Sequence, residues 1–251
     1  MAESQHSVII VGAGVSGLYA AQLLKARFPD LLVVEAQDRV GGRIMQVNGL
    51  APWPIEAGPE FIHGRTHPFT ALAQQMGANF TEKAWPEWWY FGKEKKLVPD
   101  AEVGEEVNRV HDLFQEQVGD EEVPAPGTDV SAADWLRAKG ATQKMLAVAD
   151  ACYANDFCAE LKDVGLREMI TENQHWTDGE TYLVPDRSMG VVIEGLARGV
   201  DIRTGCPVTR IEYDAREEPA PSTSQAPGVT LHCADGRRLR CRGVIVTVPL
   251  R

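Results

Sequence analysis

Apolar and polar residues alternate in blocks at the start of the chain. The first apolar run is Val8 to Val11, and GAGVSG follows directly at residues 12–17. A helical pattern comes next, and a second apolar run from Leu31 to Val34 ends on Glu35. Short apolar runs bounded by turn residues predict buried strands, so we interpret residues 7–35 as a βαβ unit.

The glycines of this unit have the spacing of a dinucleotide-binding turn. Gly12 permits a tight turn, Gly14 lets the backbone approach a pyrophosphate, and Gly17 lets the helix pack closely on the strand. Free N–H groups and the dipole at the helix N-terminus favour phosphates. Glu35 is placed to accept ribose hydroxyls. The pattern predicts a site for the ADP half of NAD or FAD; the alternative is a βαβ unit that binds nothing.

Later segments carry patterns of their own. Residues 67–77 read as a short helix with proline at its start and glycine at its end. An apolar stripe at helical spacing runs through residues 100–122, and Ser131 is placed to cap a further helix. Residues 216–228 predict a polar loop. Asp235-Gly236 lies between the segments 229–233 and 238–241 and predicts a hairpin.

Length and charge limit the classes of function. A chain of 251 residues can form one large or two modest domains. Its 25 basic and 36 acidic residues leave a formal net charge of −11, which speaks against nucleic acid or an anionic membrane as a partner. Neither a membrane span nor a signal peptide is predicted. We therefore expect a cytoplasmic or organellar matrix location.

Cysteine usage predicts neither a disulfide framework nor a metal site, because the number is odd and no CxxC pair occurs. Free, buried thiols are expected instead. The five are Cys152, Cys158, Cys206, Cys233 and Cys241.

Two motifs follow the βαβ unit. Residues 36–43 read AQDRVGGR. The glycines offer backbone amides, and the Arg43 guanidinium offers charged N–H donors for a phosphate. The alternative is that Arg43 is a surface residue of an ordinary turn. Residues 55–64 read IEAGPEFIHG. Together the motifs resemble those of the FAD-dependent amine oxidases, which include polyamine oxidases, monoamine oxidases and a histone demethylase. The resemblance implies FAD as the cofactor and an α/β fold with a Rossmann-like FAD-binding domain.

The same resemblance implies roles for single residues. Gly58, Pro59 and Glu60 would lie beside the flavin ring, and Val208 would hold the adenine through its backbone. Pro59 stands where the family usually has alanine, and it cannot donate a backbone hydrogen bond. His63 would face the substrate channel, where an imidazole could relay a proton of an amine. A structural histidine is the alternative.

The resemblance also divides the chain. Residues 1–84 and 182–251 are expected to form the FAD-binding domain in two parts, and residues 85–181 a mostly helical part of a substrate domain. The aromatic residues within 85–91 would line the substrate site or pack in a hairpin. Residues 244–249 resemble a strand under the cofactor. The family pattern continues beyond this strand without a counterpart here, so a fragment or a truncated gene model is expected.

The implied reaction oxidises an amine to an imine, with O₂ as acceptor and H₂O₂ as product, in a full-length form. A polyamine-type substrate is favoured, but the sequence names no particular amine and no oligomeric state. Two alternatives remain open. One is an FAD-dependent desaturase or protoporphyrinogen-type oxidase. The other is a catalytically inactive FAD-binding fragment or interaction module.

Overall fold

A computed structural model describes most of the chain, in five stretches: residues 4–83, 88–177, 179, 181–213 and 228–249. Most of the predicted polar loop at 216–228, together with Trp85 from the aromatic segment, lies outside them. The chain divides into two compact units. The first consists of residues 1–83 and 180–251, and the second of residues 84–179.

The first part of the first unit contains β1 (Ser4–Val11), α1 (Val15–Leu24), β2 (Leu32–Val34), β3 (Gln46–Val47), β4 (Ile55–Glu56), β5 (Ile62–His63), α2 (Pro68–Gln75) and β6 (Phe80–Lys83). The second unit contains β7 (Trp88–Phe91), β8 (Lys96–Pro99), α3 (Glu105–Asp112), α4 (Ala132–Ala138), α5 (Gln143–Cys152) and α6 (Leu166–His175). The first unit resumes with β9 (Tyr182–Pro185), α7 (Gly190–Ala197), β10 (Asp201–Arg203), β11 (Val208–Glu212), β12 (Val229–Cys233) and β13 (Arg238–Val246).

A six-stranded sheet forms the centre of the first unit, in the order β10-β2-β1-β13-β12-β11. The first four strands of this order are parallel, and β12 is antiparallel to both of its neighbours, β13 and β11. Ile10 packs in a cluster with Leu18 of α1 and Val192 of α7. Ile9 packs in another cluster with Leu231, because successive strand residues face opposite sides of a sheet. The predicted βαβ unit and the hairpin at Asp235-Gly236 are confirmed.

Strand β13 lies inside the sheet but extends past β12. Residues 238–241 pair with β12, whereas residues 243–246 pair with β1 alone among the described strands. Val246 and Val248 are about half exposed, at 51% and 52%. The open edge of β13 is therefore restricted to the end of a strand whose first half is paired on both sides.

A second sheet of the first unit has the order β5-β9-β6. Directly after β9, the Asp186 carboxylate accepts hydrogen bonds from the side-chain amide and the backbone N–H of Asn79, at 2.8 and 3.0 Å. Arg187 Nε donates to the same carboxylate at 3.2 Å. These bonds, led by that of the Asn79 side chain, lower the pKa of Asp186 to about 2. Asp186 therefore joins the start of β6 to the end of β9. The helix predicted at residues 67–77 is confirmed as α2.

The second unit is mostly helical and has its own core, which includes the fully buried Val107, Leu136 and Ile170. The stripe predicted in residues 100–122 is buried, but α3 covers only its middle and passes into a π-helical turn. Ser131 caps α4, as predicted, by accepting the N–H of Asp134 at 3.1 Å. None of the helices in the described stretches has the length and apolar character needed to cross a bilayer.

The cysteines differ in burial. Cys206, Cys233 and Cys241 are buried, and Cys152 is half-buried. Cys158 is exposed and adopts a left-handed backbone with φ of 53°. The expectation of buried thiols is therefore right for three cysteines and wrong for Cys158.

Candidate cofactor site

The turn between β1 and α1 needs glycine at two positions for internal reasons. Gly12 has φ of 110° and donates its N–H to the Val34 carbonyl oxygen at 2.8 Å. A Cβ on Gly12 would lie 2.7 Å from Thr247 Oγ1, and a Cβ on Gly17 would lie 2.0 Å from the Gly12 carbonyl oxygen. The Thr247 hydroxyl donates to the Val11 carbonyl oxygen at 3.0 Å. Sterics of the folded turn therefore explain Gly12 and Gly17.

Gly14 has a different environment. It is the N-cap of α1, with an extended backbone (φ −76°, ψ −179°) that any residue can adopt. A Cβ at this position would meet no described atom within 4 Å. Neither strain nor internal packing explains the glycine. Gly14 stands at the positive end of α1, where a backbone without a side chain can closely approach a phosphate.

Glu35 lies against this turn. Its half-buried carboxylate accepts the N–H of Ala13 at 2.8 Å and the N–H of Gln37 at 2.9 Å. Its backbone N–H donates to the Arg203 carbonyl oxygen, and its carbonyl oxygen accepts from the N–H of Cys206. The structure therefore brings the acid predicted to bind ribose next to the glycines. A carboxylate oxygen with one hydrogen bond can still accept another.

The loop after β2 forms a second wall of the site. Gly41 donates its N–H to the Ala13 carbonyl oxygen at 2.8 Å, and a Cβ on Gly42 would lie 3.4 Å from the Gly14 Cα. Arg39 holds this loop, since its guanidinium donates to the Gly42 carbonyl oxygen at 2.9 Å and to two further loop carbonyls. Arg43 is exposed, and its guanidinium is hydrogen-bonded to no described residue. Sequence reasoning identified Arg43 but missed the structural role of Arg39, which depends on how the loop folds.

The residues of the second motif, at positions 55–64, differ in burial and in their contacts. A Cβ on Gly58 would lie 2.0 Å from the Arg43 carbonyl oxygen, so close backbone packing already requires glycine here. Pro59 is half-buried. The Glu60 side chain is 69% exposed and forms an ion pair with Lys83 at 2.6 Å. The predicted contacts of Gly58, Pro59 and Glu60 with a flavin ring stay predictions.

Glu56 is a residue that the sequence interpretation did not assign. It lies on β4, paired with Gln46 and two positions before Gly58. Both of its carboxylate oxygens are shielded from solvent and have no hydrogen-bond partner among the described residues. Buried polar groups are almost always hydrogen-bonded, so this carboxylate needs a donor. Only the tertiary structure reveals this, because alternation along the sequence does not show which polar groups are shielded.

His63 lies in an aromatic corner on β5. Its half-buried ring meets Phe61 and Tyr182 edge to face, with centroids 5.8 and 5.0 Å apart. The Phe61 and Tyr182 rings are 5.1 Å apart, and the Lys83 ammonium lies 5.1 Å from the Phe61 centroid. Aromatic faces attract cations, and one such face is already in contact with an ammonium. The substrate-facing role of His63 stays a prediction.

Val208 begins β11 and is half-buried. The residues just before it lie beside the Glu35 loop, since Gly205 donates its N–H to the Gln37 carbonyl oxygen at 2.7 Å and Cys206 donates to that of Glu35 at 2.8 Å. The predicted adenine contact of Val208 therefore belongs to a segment that adjoins the Glu35 loop. The contact itself stays a prediction.

The fold is that of a mixed α/β protein, and a glycine turn follows β1, a central strand of the parallel part of the sheet. The family model for flavin containing amine oxidoreductases matches residues 15–251, and the chain belongs to this family. The cofactor of this family is FAD.

Relatives agree with this assignment. The chain is 24% identical over 278 residues to lysine-specific histone demethylase 1B of Mus musculus, covering 97% of this chain and 30% of the relative. It is 25% identical over 267 residues to polyamine oxidase 4 of Oryza sativa subsp. japonica, covering 98% and 52%. Wild-type putrescine oxidase bound to putrescine has a TM-score of 0.71 at 19% identity, covering 99% of this chain and 59% of that one. The chain thus spans about a third to somewhat over half of the length of these proteins.

The described residues fit the nucleotide end of FAD. Gly14 has an open face at the positive helix end, and Arg43 carries a guanidinium that the described residues leave available. Glu35 supplies an acceptor at the turn, and Glu56 supplies a second, shielded acceptor. A dinucleotide with phosphates and several hydroxyl donors matches this set of groups.

Proposed function

We propose that the full-length protein is an FAD-dependent amine oxidase with a polyamine-type substrate, acting with O₂ and releasing H₂O₂. The observation that carries the proposal is the family match over residues 15–251. Polyamine and putrescine oxidases among the relatives support a small cationic amine as the substrate. We assign residues 1–84 and 182–251 to the FAD-binding domain, and residues 85–181 to a helical part of the substrate domain.

The proposal gives roles to the residues of the glycine turn. The amides at the N-terminus of α1, approached over Gly14, and the Arg43 guanidinium bind the pyrophosphate. Glu35 accepts the ribose hydroxyls, and the backbone of Val208 holds the adenine. Glu56 accepts a hydroxyl of the cofactor, which satisfies its carboxylate.

We assign the second motif, residues 55–64, to the flavin end of the cofactor. Bound FAD supplies the acceptor for the hydride equivalent that leaves the carbon beside the amine nitrogen. Gly58, Pro59 and Glu60 form a wall beside the ring. His63 holds or relays the proton of the substrate amine, and the aromatic corner around it favours a cation before deprotonation.

The cofactor part is tested by titrating the purified protein with FAD and with NADH. Tighter binding of FAD is expected, with flavin absorption bands in the complex. Glu35→Gln removes the charge that accepts two hydroxyls, so FAD affinity should fall by about 1.5–3 kcal/mol, which is roughly 10- to 150-fold in Kd. The matched control is Glu194→Gln on the exposed face of α7. Tighter binding of NADH, or equal FAD affinity in both variants, would contradict the proposal.

The catalytic part is tested by a peroxide-coupled assay of the full-length protein with FAD. Spermine, spermidine, putrescine, acetylated polyamines and a methyl-lysine peptide serve as substrates. Sustained H₂O₂ release above free flavin is expected with a polyamine, and Gly14→Val should abolish it. A protein that binds FAD but oxidises no amine would favour an FAD-binding module without catalysis.

A further inference from the structure

Two thiols lie side by side in the core of the first unit. The Sγ atoms of Cys206 and Cys233 are 3.2 Å apart, and the two residues are 1% and 5% exposed. Cys206 lies just before β11, and Cys233 ends the neighbouring strand β12. A disulfide has an S–S length of about 2.05 Å, so the sulfurs need to approach by only about 1 Å to bond.

The environment of Cys233 disfavours its thiolate form. Burial, followed by a hydrogen bond to Cys206, raises the pKa of Cys233 to about 12. Cys233 therefore stays a protonated thiol at neutral pH. Oxidants react with the thiolate form of a cysteine, so we assign the first reaction to Cys206 and the second to Cys233.

Cys206 also supports the candidate cofactor site. Its N–H donates to the Glu35 carbonyl oxygen at 2.8 Å, and the N–H of Gly205 donates to that of Gln37 at 2.7 Å. A covalent bond at Cys206 therefore fixes the backbone behind the acid that we assign to the ribose. Cys233 connects the same point to the hairpin of β12 and β13.

We propose that Cys206 and Cys233 form a redox-modified dithiol, which peroxide converts into a disulfide that locks the backbone supporting Glu35. The Cys206 thiolate attacks one peroxide oxygen, the O–O bond breaks, and Cys206 sulfenic acid forms while the leaving hydroxide takes the proton that Cys206 lost. The sulfur of Cys233 then attacks the sulfur of Cys206, and the sulfenic oxygen leaves as water with the Cys233 proton. Two thiols are oxidised and one H₂O₂ is reduced to two waters.

This modification goes beyond the proposed function, which would supply H₂O₂ as a product. The experiment adds the oxidant from outside, so its outcome does not depend on amine turnover. Reduced full-length protein is treated with H₂O₂, denatured with an alkylating agent and digested, and its peptides are identified by mass. A linked pair containing Cys206 and Cys233, two hydrogen atoms lighter than the reduced pair and restored by dithiothreitol, is expected.

Two further readouts test the details. The linked protein should unfold several degrees higher than the reduced protein, because the bond restricts the unfolded chain. Hydrogen exchange at the amides of Gly205 and Cys206 should slow on oxidation. Cys233→Ser should lose the link and accumulate sulfenic acid at Cys206, whereas Cys241→Ser, at another buried cysteine, should retain the link.

Three results would overturn the proposal. The first is wild-type protein in which Cys206 and Cys233 stay free while the exposed Cys158 is oxidised. The second is a link to a different cysteine. The third is a Cys206–Cys233 link with unchanged exchange at Cys206, which would separate the disulfide from the support of Glu35. Mapping the wild-type protein needs no variant, so a variant that fails to fold does not affect the result.

Discussion

Buried carboxylates without partners are rare in folded proteins, and Glu56 is one of them among the described residues. Leaving a buried acceptor unpaired costs about 1–3 kcal/mol, and a charged group costs more. Its neighbours along the chain are packed against the Arg43 loop, which keeps the shielded position fixed. An unsatisfied buried group of this kind needs an explanation, and a ligand that supplies the missing donor is one.

We therefore predict opposite effects of Glu56→Gln on stability and on binding. Burying an amide without partners costs less than burying a carboxylate without partners, so the cofactor-free protein should become more stable. FAD affinity should fall, because a neutral amide is a weaker acceptor than a carboxylate. Thermal unfolding without FAD and a fluorescence titration with FAD measure the two effects.

The control for Glu56→Gln is Glu194→Gln, which changes the same chemical group on an exposed helix face. A less stable cofactor-free Glu56→Gln protein would mean that the carboxylate has a structural partner. An unchanged FAD dissociation constant would remove Glu56 from the cofactor site.

At the scale of elements, the turn between β1 and α1 contains glycines with different roles: Gly17 is required for packing, and we assign Gly14 to cofactor binding. Gly17→Ala places a Cβ 2.0 Å from a backbone oxygen, so this variant should lose stability by several kcal/mol. Gly14→Ala meets no described atom within 4 Å and should unfold close to the wild-type temperature. Only Gly14→Ala is expected to weaken FAD binding in a protein that is still folded.

Thermal unfolding of the wild type, Gly14→Ala and Gly17→Ala tests the packing role. FAD titration of those proteins that remain folded tests the binding role. If Gly14→Ala destabilised the protein as strongly as Gly17→Ala, Gly14 would be a packing residue. If it bound FAD normally, the open face of Gly14 would not be the phosphate site.

The connection between β6 and β9 predicts a stability that depends on pH. Hydrogen bonds from Asn79 and Arg187 lower the pKa of Asp186 to about 2, from an ordinary value of 3.8. The depressed pKa means that this stabilisation is complete above about pH 4 and is lost as the pH falls to about 2. Asp186→Asn should reduce stability at neutral pH and flatten its decline between pH 4 and 2.

Chemical denaturation at a series of pH values measures this effect. Glu82→Gln is a suitable control, because Glu82 forms an exposed ion pair with Arg65 in the same sheet. Equal pH profiles for wild type and Asp186→Asn would show that the bonds to Asn79 contribute nothing in solution.

The elements that sequence reasoning predicted best are those encoded by neighbouring residues. The βαβ unit, the cap at Ser131 and the Asp235-Gly236 hairpin each depend on a pattern within a short segment. Features formed by distant segments could not be predicted in this way. Shielding of Glu56 requires β3 to pair with β4, and the thiol pair requires β11 to lie beside β12. Glu35 and the glycines of the turn, all predicted to bind the nucleotide, lie close together because they follow the adjacent parallel strands β2 and β1.

At the scale of the whole molecule, the proposed nucleotide residues all belong to the first unit. FAD should therefore slow hydrogen exchange in residues 12–18, 35–43 and 205–208. It should leave the amides of α4 and α5 in the second unit largely unchanged. Exchange measured by mass spectrometry with and without FAD tests this, and protection found mainly in α4 and α5 would place the cofactor elsewhere.

The pairing of β1 with β13 also determines when the central sheet can be completed. Ser4 is paired with Leu239, so one neighbour of β1 comes from a segment more than 200 residues later in the sequence. At roughly 5–20 residues per second, that neighbour is synthesised on the order of 10–50 s later. During this interval β1 and β2 can pair, but the opposite edge of β1 stays open to other chains. Newly made protein should therefore depend on chaperones until β13 has emerged, and its refolding should be slow, because long-range parallel pairing forms late.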